Sequence, residues 1–230
     1  MGDSSRTNVQ IMSNLVGQAK TQENQSKSRE NTSVTSNDYA TEVRTLTTCA
    51  LLAALGVSSS TALLIVPNVE MMMIIIFIAG YRYGLRAGVS TATIATILYE
   101  MIASAFFGWL PLVTLAKFPA YLLATIIGSI LGRADRPLVD LKNGQPESVQ
   151  RTSILLGIIG LLLTLAYDLL TTLAFGVSTV GFNLRGLALI YFLGMPFTIL
   201  HEISNFIVFL WFPTIMKAMD NIEGARRAGT

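Results

Sequence analysis

The sequence predicts an all-α integral membrane protein: a six-transmembrane-helix bundle behind a disordered polar N-terminal tail. Hydrophobic residues make up 52% of its 230 positions and charged residues only 13%. The charges crowd into the first 44 residues, the stretch from Arg133 to Arg151 and the C-terminal end. Between them lie apolar runs that no soluble domain of this size could bury. The formal net charge of +2 carries no nucleic-acid signal, because the basic residues fall in loops and tails. A single cysteine, Cys49, excludes an intrachain disulfide and a cysteine-based metal cluster. It reads as a small apolar residue packed in a helix.

Residues 1–43 are rich in Ser, Thr, Asn and Gln and contain no apolar run, so they read as a disordered cytoplasmic tail. They lack the apolar segment of a secretory signal. The transmembrane domain is expected over 44–219, with a short cytoplasmic tail over 220–230. Its first span covers 45–66. The second, 69–81, has about 20 Å of helix, less than a full hydrocarbon core, and crosses only a thinned region or is partly re-entrant. The third covers 85–107 and is broken by Trp109-Leu-Pro111. The fourth covers 112–131, and a polar loop runs from Gly132 to Gln150. The fifth covers 152–175. A ten-residue connection with two glycines leads to the sixth, over 186–212.

Lys and Arg placement sets the expected orientation. With the N-terminus inside, the inner loops hold Arg82, Arg86, Arg133, Arg136, Lys142 and Arg151, and the inner tails add Arg44, Lys217, Arg226 and Arg227. The outer side keeps only Lys117 and Arg185. This asymmetry requires the short second segment to cross and puts both termini in the cytoplasm.

Each later span has one small or polar face at helical spacing, the mark of a face turned toward other helices. In the third it is Thr93, Thr96, Glu100 and Ser104; in the fourth, Lys117, Tyr121, Ala124 and Gly128. In the fifth it is Gly157, Gly160, Thr164, Asp168 and Thr171. In the sixth it is Gly194, Thr198, His201 and Asn205, with Glu202 alongside. A charge at the bilayer centre costs about 2.5–3.5 kcal/mol on insertion scales, so Glu100, Lys117, Asp168 and Glu202 cost on the order of 12 kcal/mol before pairing. Two arrangements offset that. One is a structural network, with Lys117 against Glu100 or Asp168 and His201 bonded to a neighbour. The other is a solvated ligand pocket built from the same groups. Depth counting puts Glu100, Lys117 and Asp168 in the outer half, with His201 and Asn205 as a floor beneath.

The first span differs, with Ala50, Ala53, Ala54 and Val57 forming a smooth face. Ala50 and Ala54 make a small-xxx-small pair that lets another helix approach, either inside this bundle or from a partner subunit.

Several chemistries are excluded. His201-Glu202 begins a zinc-protease pattern, but its second histidine position holds Asn205 and no other histidine exists. There is no phosphate-binding Walker loop, no Gly-x-Ser-x-Gly elbow and no selectivity-filter signature. No metal and no cofactor is expected.

The stretch from Val43 to Met219 resembles the substrate-binding S component of an energy-coupling factor (ECF) vitamin transporter. The resemblance is carried by the Ala-rich first helix and by Pro67-Asn68 before a short second helix. Gly80-Tyr-Arg-Tyr-Gly84-Leu-Arg-Ala-Gly88, Tyr167-Asp168-Leu-Leu-Thr171 and His201-Glu-Ile-Ser-Asn205 add to it. It implies a multi-pass subunit of the cell membrane that takes up a water-soluble micronutrient from outside. It also implies partners, a transmembrane coupling subunit and two ATPase subunits. Ala50, Ala53 and Ala54 would meet the coupling subunit. Substrate would meet Asn68, Glu70, Glu100, Lys117, Tyr121, Asp168, Phe182 and Tyr191, with His201 and Asn205 deeper. Two alternatives remain open: an intramembrane enzyme centred on His201, and a structural subunit without ligand.

Overall fold

The computed structural model describes Tyr39 and residues 41–63, 71–134 and 146–228. Most of the expected tail over 1–43 and of the expected polar loop from Gly132 to Gln150 lies outside these residues, as do Asn68 and Glu70. The chain divides into two units, Met1–Thr45 and Leu46–Thr230. Of the first, the described residues are helical.

All regular structure among the described residues is helical. In chain order the helices are α1 (Thr41–Ala62), α2 (Met72–Phe107), α3 (Pro111–Arg133), α4 (Pro146–Val180), α5 (Leu184–Leu210) and α6 (Phe212–Ala228). The first five are long and apolar enough to cross a membrane. Each exposes leucines together with other apolar side chains, as helices facing lipid do.

Helix α2 is two rods. At Gly84 the backbone leaves helical geometry, with φ 84° and ψ 178°, a conformation that favours glycine. The chain reverses there: a Cβ on Gly88 would lie 3.0 Å from the Cα of Gly80. In one continuous helix those residues would stand about 12 Å apart. The arm over 72–83 therefore returns as the arm over 85–107, and the two correspond to the expected second and third segments. The first arm is about 18 Å long, and its residues from Met72 to Gly80 are buried without interruption. It is the centre of the bundle, a buried helix rather than a lipid-facing one. Helix α3 lies against it at backbone distance, since a Cβ on Gly128 would sit 2.5 Å from the Phe77 carbonyl oxygen.

Three aromatic contacts join the same arm to the C-terminal helices. Phe77 packs edge-on to Phe209 at 5.2 Å and to Phe212 at 5.4 Å, and Tyr81 meets Phe212 at 5.1 Å. On α4, Gly160 leaves the notch that Phe209 fills. Cys49 is buried, its Sγ 3.5 Å from the Ala87 carbonyl oxygen.

Several boundaries differ from the sequence expectation: α1 opens at Thr41 rather than 45, and α4 opens at Pro146 rather than 152, inside the expected polar loop. Helix α4 runs on to Val180, so the expected ten-residue connection shrinks to the turn at 181–183. The Ser178 and Thr179 hydroxyls donate to the carbonyls of Ala174 and Phe175, both at 2.8 Å, and so satisfy themselves inside the helix. Asn183 then caps α5, its side-chain oxygen accepting from the amides of Arg185 and Gly186. Helix α5 stops at Leu210 rather than 212, because Pro213 cannot continue it. Helix α6 follows, with Phe212 and Met216 buried. Its Asp220 accepts from Arg82 at 2.5 Å, tying α6 to the Gly84 turn.

Candidate functional site

Glu100, Lys117, Asp168 and His201 form two pairs within the spans. The first lies about 10 Å along α2 and α3 from the turn at 108–110. Lys117 Nζ donates to Glu100 Oε1 at 2.5 Å, and Thr114 Oγ1 donates to Glu100 Oε2 at 2.8 Å. Both carboxylate oxygens are used. The Lys117 ammonium also stands 5.1 Å over the Tyr99 ring, a cation–π distance. The two side chains keep 12% and 15% exposure, so this pair retains some access. Gly108, with φ 78°, closes α2, and Pro111 opens α3 where a missing N–H costs nothing. That tight turn brings Glu100 and Lys117 face to face.

The second pair lies deeper, about 18 Å along α4 from Val180 and about 26 Å along α5 from Leu184. His201 Nδ1 is 2.8 Å from Asp168 Oδ1, with side-chain exposures of only 3% and 9%. With Asp168 ionised, Nδ1 is the donor, which fixes the ring's orientation. Asn205, one turn along α5 and wholly buried, donates from Nδ2 to the His201 carbonyl at 3.3 Å. Tyr167 meets the His201 ring edge-on at 5.7 Å, and Tyr121 meets Tyr167 at 5.3 Å. Tyr121 is one helical turn from Lys117. A run of contacting polar and aromatic side chains therefore leads from the first pair to the second.

Of the pairings that the sequence leaves open, the structure has Lys117 with Glu100, and the neighbour that bonds His201 is Asp168.

Two buried acceptors, Asp168 Oδ2 and Asn205 Oδ1, have no hydrogen-bond partner among the described residues. Leaving such a group unsatisfied costs about 1–3 kcal/mol, more when it is charged. Native proteins keep such groups mainly where something else uses them.

The other expected site residues are dispersed. The Tyr191 hydroxyl donates to the Leu169 carbonyl at 2.7 Å, bridging α5 to α4. Phe182 is 86% exposed on the turn between those helices. The alanine face is divided: Ala53 and Val57 are buried in the core, whereas Ala50 and Ala54 are exposed. One contributor was missing from the expected set: Thr114 lies one turn before Lys117 on α3, a spacing that signals a shared partner. Tyr167, quoted in the sequence beside Asp168, stands against the His201 ring. No group of three or more His, Cys, Asp or Glu that could hold a metal occurs among the described residues.

Five membrane-length apolar helices with charges paired in their interior define a multi-pass α-helical membrane protein. No protein family, curated protein or solved structure matches the chain.

Proposed function

We propose that this protein is the substrate-binding subunit of an ECF-type importer for a water-soluble vitamin or related micronutrient. In this reading it lies in the plasma membrane with both termini cytoplasmic, and it works with a transmembrane coupling subunit and two ATPase subunits that hydrolyse ATP. The observation that carries it is the run of buried polar and aromatic side chains from Glu100–Lys117, through Tyr121 and Tyr167, to Asp168, His201 and Asn205. Polar groups within apolar helices are expensive and mark ligand or ion paths. The exposed Ala50 and Ala54 supply a smooth surface for a partner helix. The test is mass spectrometry of small molecules retained by the purified protein: one water-soluble compound at near-stoichiometric amount is expected, and its absence counts against the reading. Ala54→Trp should leave that binding intact and abolish uptake by cells carrying the complete importer.

One observation favours a second reading, an intramembrane enzyme. A carboxylate on Nδ1 is what orients a histidine general base, and Asp168 occupies that position. This reading expects turnover of a lipid or peptide substrate by the purified chain alone, removed by His201→Ala.

A further inference from the structure

We infer that the Asp168–His201–Asn205 layer receives a cationic, N–H-donating group of a small ligand. This rests on the binding-subunit reading and names the chemistry its ligand must have.

With His201 neutral and its Nδ1–H given to Asp168, the buried side-chain atoms of the layer left without a hydrogen bond among the described residues, Asp168 Oδ2, Asn205 Oδ1 and His201 Nε2, are all acceptors. Asp168 is 7% exposed and Asn205 0%, and the oxygens left over on them are Oδ2 and Oδ1. An ionised carboxylate can only accept hydrogen bonds, as can an amide oxygen. The amide orientation of Asn205 is fixed, since the group facing the His201 carbonyl must be the donor Nδ2. The Nδ1 donor of His201 is already engaged by Asp168 Oδ1. An anionic or acceptor-only ligand would leave both oxygens without partners and would add like charge beside Asp168.

Charge points the same way. Lys117, the lysine of the polar run, is held by Glu100 at 2.5 Å. The deep layer has the Asp168 carboxyl, with Glu202 next to His201 on α5, against a single imidazole. With Asp168 ionised and His201 neutral the layer carries a net negative charge. A ligand cation supplies the missing charge, and its N–H groups supply the missing donors. The Tyr121 and Tyr167 rings beside the layer suit a planar cation, which gains from an aromatic face.

The test uses the full chain in lipid nanodiscs and two probes of similar shape, measured by ligand-observed NMR titration. One probe is 4-aminopyridine, planar, protonated at neutral pH and N–H-donating. The other is 4-methylpyridine, largely neutral just above pH 7 and without an N–H donor. The wild type should bind the first at least about tenfold more tightly. Asp168→Asn should abolish that preference, and Asn205→Leu should reduce it. If the layer is merely structural, Asp168→Asn lowers the thermal midpoint and leaves the ratio of the two affinities unchanged, which overturns the inference. Should Asp168→Asn fail to fold, Asn205→Leu decides the matter by the same ratio. Retention of a natural ligand without N–H donors, bound equally well by Asp168→Asn, overturns the inference while the binding-subunit reading stands. Absence of any retained small molecule, with neither probe binding, overturns both.

Discussion

The two charged pairs solve the same physical problem in opposite ways. At Glu100–Lys117 the opposite charges meet, both carboxylate oxygens are used and the side chains keep some access. At Asp168–His201 exposure falls to 3% and 9%, and each acidic or amide partner keeps one unused oxygen. The first is a closed account of hydrogen bonds; the second is open. A closed pair holds helices together, and an open one, buried so deeply, has capacity to hold something else.

Removing one partner from each pair should separate these roles. Asp168→Leu should have the largest effect, about 3–5 kcal/mol of stability lost with ligand retention, because it strips a buried pair of one member. Thermal unfolding in detergent and mass spectrometry read the two consequences separately. Glu100→Leu should cost less, about 2 kcal/mol, since Lys117 is near enough to the helix ends to reach water along its stem. Adding Lys117→Met to Glu100→Leu should recover most of that loss, because the stranded charge goes too. If the double variant is no better than the single, the pair is not closed in the sense argued above. Thr114→Val should cost about 1 kcal/mol through its lost bond to Glu100. The smallest effect belongs to Arg82→Ala at the exposed contact with Asp220, less than about 1 kcal/mol and shrinking in salt.

The spans, the short second segment and its turn in the Gly80–Gly88 stretch were legible in the sequence. Hydropathy and glycine spacing are properties of one helix, and one helix carries them. The polar faces were legible for the same reason. Which face meets which was not, because it depends on where helices end and how they are turned about their axes. The hydroxyl bonds of Ser178 and Thr179, and the Asn183 cap, move the ends of α4 and α5 away from the hydropathy boundaries. The alanine face shows the rotational limit. At about 100° per residue, Ala53, Val57, Ala50 and Ala54 lie in that order around an arc of about 100°. The bundle takes the first two and leaves the last two, a division that the alanine spacing cannot reveal.

The Gly84 reversal also constrains how the protein is made. The arm over 72–83, about 18 Å long, is too short to cross a hydrocarbon core of about 30 Å by itself. Its position in the finished bundle is walled off by α3, α5 and α6, which are synthesised after it. It therefore enters the bilayer as half of a hairpin with the longer arm and waits, incompletely packed, until the C-terminal helices emerge. Chains truncated before Phe209 should leave that arm exposed to the quality-control proteases of the membrane, so its protection reports when biogenesis is complete.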